Sequence, residues 1–398
     1  KGGINMDKFN YHAPTKIVFG KNTENKVGQL VKNSGCKKVL VHYGGSSAKK
    51  SGLLDRVFAS LTEAGIAYTE LGGVVPNPRL SKVYEGIKLC REENVDFILA
   101  VGGGSVIDSA KAIGYGVVNE GDVWDLYTGA KMPINGCLPI GAIVTIPAAG
   151  SEMSNVSVIT NEEGWLKRSL GSEAGYCQFA IMNPELTYTL PSYQTASGAT
   201  DILLHTMERY FAKCKTLEIS DALGESLMRS VMYNVKVLLK EPENYEARAT
   251  IMWASSLSHN GVTGDRNYGD WACHQLEHEL GGIFDIAHGA GLAAVWGSWA
   301  RYVYQENSAR FAQFAVNVLN VPNHFDDPER TALDGIAAME DFFRSIDMPT
   351  AIKDMGIDLT EAQIKELAYK CSFMGKRTIG AFKKLDIPDI EEIYRMAK

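Results

Sequence analysis

The two halves of the 398-residue chain follow different patterns. They predict an α/β domain with a Rossmann-like parallel sheet, followed by an all-α domain. Three observations carry this reading. Short β-rich runs alternate with amphipathic segments through the first half. Glycine-rich turns close two of those runs. Beyond Leu190-Pro191, long helical patterns succeed one another with almost no β-rich run between them. The boundary falls between Thr189 and Ser197, giving domains of 6–191 and 192–398.

Phe9 to Phe19 reads as a short β segment, an arm of the kind that can pair with another subunit. Lys38 to Tyr43 is a buried strand, an apolar run ending in the turn Gly44-Gly45-Ser46-Ser47. From Leu53 to Ala64, residues Leu53, Leu54, Val57, Phe58 and Leu61 recur near every 3.6 positions, an amphipathic helix. Ala67 to Leu71 is a second strand and Ser81 to Glu93 a second helix. Phe97 to Val101 is a third strand, after which Gly102-Gly103-Gly104-Ser105 opens the next helix. Ile140 to Ile146 and Phe179 to Met182 supply later strands. Strand, turn, helix and strand in this order build a parallel sheet with helical crossovers. In the second half Thr216 to Leu239, Tyr245 to Gly261, His288 to Tyr304, Arg330 to Ile346 and Thr360 to Phe373 read as helices. There is no internal repeat or low-complexity tract.

Hydrophobic residues make up 45% of the chain and charged residues 22%, an ordinary folded profile with enough apolar mass for two cores. A net charge of −7 excludes broad attraction to nucleic acid or an acidic membrane. No apolar run is long enough to span a bilayer. Seven cysteines are dispersed with none in C-x-x-C spacing, which argues for a reducing, cytoplasmic compartment and against a disulfide framework. Cys273 reads as a small buried filler beside His274 rather than as a ligand. No leader peptide is expected, and Lys1 to Asn5, ahead of Met6, read as an appended remnant.

The turn after Val101 joins a strand to a helix. Its glycines permit positive φ and let a phosphate approach the backbone. The helix N-terminus adds free N–H groups and a positive dipole end. It lacks the G-x-G-x-x-G fingerprint, so alone it fits a structural tight turn equally well. The turn Gly44-Gly45-Ser46-Ser47-Ala48-Lys49-Lys50 follows the first strand. Ligands of open α/β sheets gather at the carboxyl ends of strands, so two such turns at neighbouring ends can hold a dinucleotide. An acid in the first turn would bind a ribose 2′-hydroxyl and repel a 2′-phosphate, and none is there. Ser46, Ser47, Lys49 and Lys50 suit that phosphate; the alternative is a solvated helix start with surface lysines.

Of only eight histidines, His274, His278 and His288 fall within fifteen residues. Upstream, Asp201 and His205 lie four apart, as do His274 and His278, so each pair shares a helical face. Spacing alone offers five candidate ligands to a site that usually takes four, leaving one imidazole for an outer or proton-relay role. Imidazoles with one carboxylate suit Fe(II) or Zn(II) better than Mg or Ca. His12, His42, His259 and His324 lack such neighbours in sequence and read as structural.

With these motifs assembled, the chain resembles the iron-containing (group III) alcohol dehydrogenase family from Phe9 to the C-terminus. The resemblance is carried by Pro76-Asn77-Pro78, by Gly102-Gly103-Gly104-Ser105-x2-Asp108-x2-Lys111, and by Thr145-Ile146-Pro147-Ala148-Ala149-Gly150-Ser151-Glu152. It continues through Asn183-Pro184, Asp201-x3-His205 and His274-x3-His278-x9-His288-Gly289. Tyr43 to Gly52 and Lys240 to Tyr245 are most similar to the branch of NADPH-dependent butanol dehydrogenases and broad-range aldehyde reductases. The resemblance implies metal ligation by Asp201, His205, His274 and His288, with His278 near nicotinamide and substrate as the catalytic proton relay. It implies cofactor contacts at Asn77, Gly103, Gly104, Ser105 and Asp108, with Thr145 and Ser151 near the pyrophosphate and Lys167 on the adenosine side. Gly44, Gly45, Ser46, Ser47 and Lys49 complete the expected cofactor set, NADP(H) before NAD(H). Ala149 stands where the family usually has Thr, and Asn183 where Asp is common. Both bear on cofactor affinity and leave the metal set intact.

The expected chemistry is hydride transfer between NADP(H) and short-chain primary alcohols or aldehydes such as butanol and butanal. One Fe2+ or Zn2+ acts as Lewis acid, and both reactants meet in an interdomain cleft. A homodimer is expected by analogy. A polyol dehydrogenase on the same scaffold is the alternative; such relatives typically use fewer protein ligands. A dehydroquinate-synthase-like lyase would need basic residues for a phosphorylated substrate, and none lies between His274 and His288. A non-catalytic sensor is disfavoured because the ligand set lacks no member.

Overall fold

The computed structural model describes residues 9–131, 136–212 and 216–398. They form two compact units. One spans Ala13–Thr189, and the other spans Leu190–Lys398 together with the described residues up to His12. The segment before Ala13 thus goes with the helical unit and not, as the sequence reading had it, with the sheet. There the Tyr11 ring lies against Gly261, where a Cβ would stand 3.7 Å from it.

In the sheet unit, β1 (Lys16–Phe19), β2 (Lys38–Tyr43), β3 (Ala67–Leu71), β4 (Phe97–Gly103), β5 (Ile140–Ile146) and β8 (Phe179–Met182) form one sheet. Its order is β1-β8-β5-β4-β2-β3, and every neighbouring pair is parallel. The expected β arm from Phe9 is therefore shorter: only Lys16–Phe19 is strand, and it completes the chain's own sheet beside β8. β4 is buried along its whole length, which explains its continuous apolar run. Crossovers are made by α1 (Val27–Asn33), α2 (Ser47–Lys50), α3 (Leu53–Glu63), α4 (Leu80–Glu92), α5 (Gly104–Val118) and α6 (Trp124–Thr128). On one sheet face Val39, Val41, Leu99, Val101 and Ile143 pack against Val57 and Leu61 of α3 and Val31 of α1. On the other, His42 reaches α5, where Ser109 Oγ lies 2.8 Å from its Nε2. A separate hairpin, β6 (Val156–Asn161) with β7 (Leu166–Gly171), escaped the sequence reading because its residues mix polar and apolar types without a clean alternation.

The strand order reverses between β2 and β4: the chain leaves β2 towards β3 and leaves β4 towards β5, on opposite sides. A crevice opens at such a switch point, outside the carboxyl ends of the two strands. Both glycine turns stand there, since Tyr43 is in register with Val101.

The helical unit comprises α7 (Ser192–Tyr210), α8 (Glu218–Leu238), α9 (Tyr245–His259), α10 (Ala272–Phe284), α11 (His288–Val303), α12 (Ser308–Leu319), α13 (Pro328–Ser345), α14 (Glu361–Cys371) and α15 (Ile387–Ala397). Its core gathers Phe211, Trp296, Trp299, Phe311, Phe314 and Phe343. α12 and α15 were not expected, although each has a legible start: the Asn307 side chain accepts from the Arg310 N–H, and Asp386 forms a capping box with Asp389. No helix among the described residues is long and apolar enough to cross a membrane.

Candidate metal centre and nucleotide site

Three helices converge on Asp201. α7 is buried along most of its length and carries Asp201 and His205 one turn apart. α10 brings His274, and α11 begins at His288. Gly289 explains how α11 comes so close: a Cβ there would lie 1.9 Å from the Ser197 carbonyl oxygen on α7. Only a residue without a side chain lets these two backbones meet.

Asp201 Oδ1 lies 3.4 Å from His205 Nδ1, 3.6 Å from His274 Nε2 and 3.6 Å from His288 Nε2. Two ligands about 2.1 Å from a tetrahedral centre stand about 3.4 Å apart, so the separations from Asp201 Oδ1 fit a shared metal ion. The ligand atoms of Asp201, His205 and His274 lie within 4.8 Å of one another, and His288 joins them through its approach to Asp201. Asp201 Oδ1, His205 Nδ1 and His274 Nε2 are buried and have no hydrogen-bond partner. Such orphaned polar atoms are costly unless something binds them. One carboxylate and three imidazoles can hold a divalent transition metal. His278 does not join this convergence; it is half-buried, with its ring 6.0 Å from that of His288.

Burial, reinforced by nearby positive groups, holds His205 and His259 well below the ordinary imidazole range. A neutral ring has the lone pair that a metal needs. Burial also depresses His274, but Asp201 and Glu208 beside it prevail and raise it to about 9 when no cation competes. For Asp201, burial opposes ionisation, and His288 and His274 outweigh it, keeping the carboxyl below its usual value.

Several neighbours escaped the sequence reading. Glu208 Oε1 accepts from the His274 backbone N–H at 3.0 Å and from its Nδ1 at 2.9 Å. Glu277 bonds His288 Nδ1. Each follows a candidate histidine by three residues, a spacing that could have flagged it. His259, expected to stand apart, packs its ring 4.1 Å from that of His205, because the end of α9 returns to α7. Trp271 holds a left-handed backbone at φ 62° ahead of α10, with its ring 5.5 Å from that of His274. The Arg209 guanidinium covers the Trp271 ring at 4.8 Å.

In the sheet unit, α5 starts at Gly104 with no side chain capping its first turn. Gly103 and Gly104 pack against the segment after β5: added Cβ atoms would meet Ile146 Cβ at 2.9 Å and Ala149 Cβ at 2.8 Å. Packing therefore demands glycine here, and with no side chain at the N-cap, no capping bond closes the helix start. Ser105 and Thr145 are half-buried. Asp108 has its carboxylate engaged within the protein, taking Ser151 Oγ at 2.5 Å and the Val158 N–H at 2.9 Å. Burial raises its carboxyl above the ordinary range, against the pull of Lys111. The buried Lys111 ammonium donates to the carbonyls of Ser151, Ser154 and Val156. Asp108 and Ser151, expected at the cofactor, thus hold each other and fasten this segment to α5. Asn77 is buried with φ 52°, and Lys167 is buried on β7. In the first turn Gly44 is half-buried, while Gly45, Ser46, Ser47 and Lys49 are exposed. The acid absent from that turn arrives from β3: Glu70 accepts from Tyr43 OH at 2.8 Å and lies 3.7 Å from Lys49 Nζ.

A parallel sheet with glycine turns at its switch point, and a buried cluster of imidazoles around one carboxylate, are together the marks of enzymes that use both a nucleotide and a metal. Comparison with known proteins narrows the class. The family model described as iron-containing alcohol dehydrogenase matches residues 14–184, and the model of that family's C-terminal part matches residues 195–398. The chain belongs to the iron-containing alcohol dehydrogenase family and is an oxidoreductase. It is 40% identical over 390 residues to the probable NADH-dependent butanol dehydrogenase 1 of Bacillus subtilis, covering 98% of this chain and 99% of that protein. It is 35% identical over 396 residues to the NADPH-dependent aldehyde reductase YqhD of Escherichia coli, covering 99% and 100%. The crystal structure of NADH-dependent butanol dehydrogenase A from Thermotoga maritima superposes with a TM-score of 0.94 at 40% identity, covering 99% of each chain.

Proposed function

We propose that this protein is a metal-dependent reductase of short-chain aliphatic aldehydes that prefers NADP(H) and also oxidises the matching primary alcohols, such as butanol. The observation that carries the reading is the convergence of three imidazole nitrogens on Asp201 Oδ1 at 3.4–3.6 Å. Asp201, His205, His274 and His288 hold one Fe2+ or Zn2+. That cation, when bound, supplies Lewis-acid polarisation of a carbonyl and stabilises the charge of an alcohol oxygen. A bound nicotinamide would supply or accept the hydride. His278, half-buried and outside the ligand set, carries the proton to or from the substrate oxygen. Gly103, Gly104 and Ser105 present backbone N–H groups to the pyrophosphate, and Asp108 with Ser151 keeps that turn in shape. Thr145, Asn77 and Lys167 complete the cofactor pocket.

Preference for the 2′-phosphate rests on Ser46, Ser47 and Lys49, which are exposed at the end of β2. Glu70 is the opposing feature, because it already engages Lys49. Relatives named for NADH and for NADPH both occur, so direct assay is the deciding measurement. A cytoplasmic homodimer is part of the proposal; the described cysteines are all free thiols, as a reducing compartment keeps them.

The test is consumption of NADPH and of NADH with a panel of aldehydes including butanal, after reconstitution with Fe(II) and separately with Zn(II). Higher kcat/KM with NADPH on butanal is expected. Turnover with NADH alone would overturn the cofactor preference, and no turnover with either cofactor would overturn the activity.

A further inference from the structure

We propose that Glu208 and Glu277 are positioning residues that fix the tautomer and aim of His274 and His288 towards the metal. The inference rests on the metal site assigned above. A neutral imidazole has one N–H and one bare nitrogen, and only the bare nitrogen ligates. An ionised carboxylate can only accept, so a carboxylate at Nδ1 keeps the proton there and leaves Nε2 free. In both rings Nδ1 faces a glutamate and Nε2 faces Asp201 Oδ1 at 3.6 Å.

The two supports are built differently. Glu208, 3% exposed, projects from α7, the helix that carries Asp201 and His205. One of its oxygens takes both the backbone N–H and the ring of His274. The ring is thereby tied to its own main chain as well as to α7. Glu277, fully buried, reaches from α10 to the first residue of α11. Gly291 makes room for it: a Cβ there would meet Glu277 Cγ at 2.8 Å. His205 is held differently, between the rings of His259 at 4.1 Å and His274 at 4.5 Å. Each carboxylate also makes its imidazole a stronger donor to a cation.

Outer carboxylates of this kind change metal affinity by about 10–100-fold. The experiment titrates Co(II) into metal-free protein and reads both the visible d–d spectrum and the affinity against a chromophoric chelator. Glu208→Ala and Glu277→Ala are each expected to weaken Co(II) binding about 10–100-fold and to alter the d–d bands. Glu208→Gln and Glu277→Gln keep the shape but lose the charge and the fixed acceptor. They are expected at the low end of that range, and they decide the matter if an alanine variant does not fold. Wild-type affinity and spectrum in both glutamine variants would overturn the proposal. Asp201→Ala separates this failure from failure of the site itself. Loss of Co(II) in that variant beside unchanged glutamate variants overturns only the positioning role. Retention of Co(II) in Asp201→Ala overturns the metal site and the positioning role together.

Discussion

At the scale of single residues, the decisive fact is that Asp201 Oδ1, His205 Nδ1 and His274 Nε2 are buried without hydrogen-bond partners. A core satisfied by its own contacts has little reason to keep three such atoms face to face. His274→Ala is therefore expected to lose bound metal and to lower kcat at least about 100-fold, the range in which loss of an electrostatic catalytic element falls. Metal analysis and turnover on the same sample check this, and full metal with full activity would refute it. The cofactor reading makes a separate claim about Lys49, whose ammonium lies 3.7 Å from Glu70. Lys49→Ala is expected to raise KM for NADPH about tenfold, the loss of one charge-assisted contact, and to leave KM for NADH nearly unchanged. Equal effects on both cofactors would show that Lys49 is only a surface lysine.

At the scale of elements, the proposed metal ligands depend on how closely α7 and α11 approach. Gly289 sets this distance, because a Cβ would come within 1.9 Å of the Ser197 carbonyl oxygen. Gly289→Ala must push the helices apart, and His288 moves with α11 away from Asp201. A stability loss of about 1–3 kcal/mol is expected from overpacking, together with weaker metal binding. Thermal unfolding and Co(II) titration of the variant measure the two effects. A variant that matches the wild type in both would mean that the helices tolerate a wider gap. The α5 region shows the same dependence: Lys111 and Asp108 are spent on tying the 151–158 segment to the helix. The motif Gly102 to Lys111 thus contains two tasks, an open N-terminus and an anchored loop.

At the scale of the whole molecule, protonation is linked to folding through His42. It is fully buried, and it donates from Nδ1 to the Leu71 carbonyl at 2.8 Å while Nε2 accepts from Ser109. Burial lowers its pKa from 6.5 to about 4. Between those values the unfolded chain binds a proton that the folded chain does not, so stability rises with pH across that window. The stabilisation is fully present above pH 6.5 and is lost as pH falls towards 4, by about 3 kcal/mol in all. His42→Gln is expected to flatten this part of the stability profile, measured by thermal midpoints from pH 4 to 7. Parallel profiles for the two proteins would refute the assignment.

Local pattern alone determined much of this protein. The central strands β2, β4, β5 and β8 were legible as short, mainly apolar runs, because strands buried on both faces must be largely apolar. The pairs Asp201/His205 and His274/His278 were legible because helical spacing is fixed by geometry. The β6–β7 hairpin was not, since its polar and apolar residues carry no regular alternation. Sequence spacing could not choose four ligands among five candidates, because residues on different helices have no fixed relation until the helices pack. The family resemblance had set His278 apart from the other four. The tertiary structure adds the approach of His274 and His288 to Asp201, and it alone brings Glu208 beside His274, Glu277 beside His288 and Glu70 beside Tyr43. Those relations arise from helix crossing and strand order, which depend on close packing summed over the whole core.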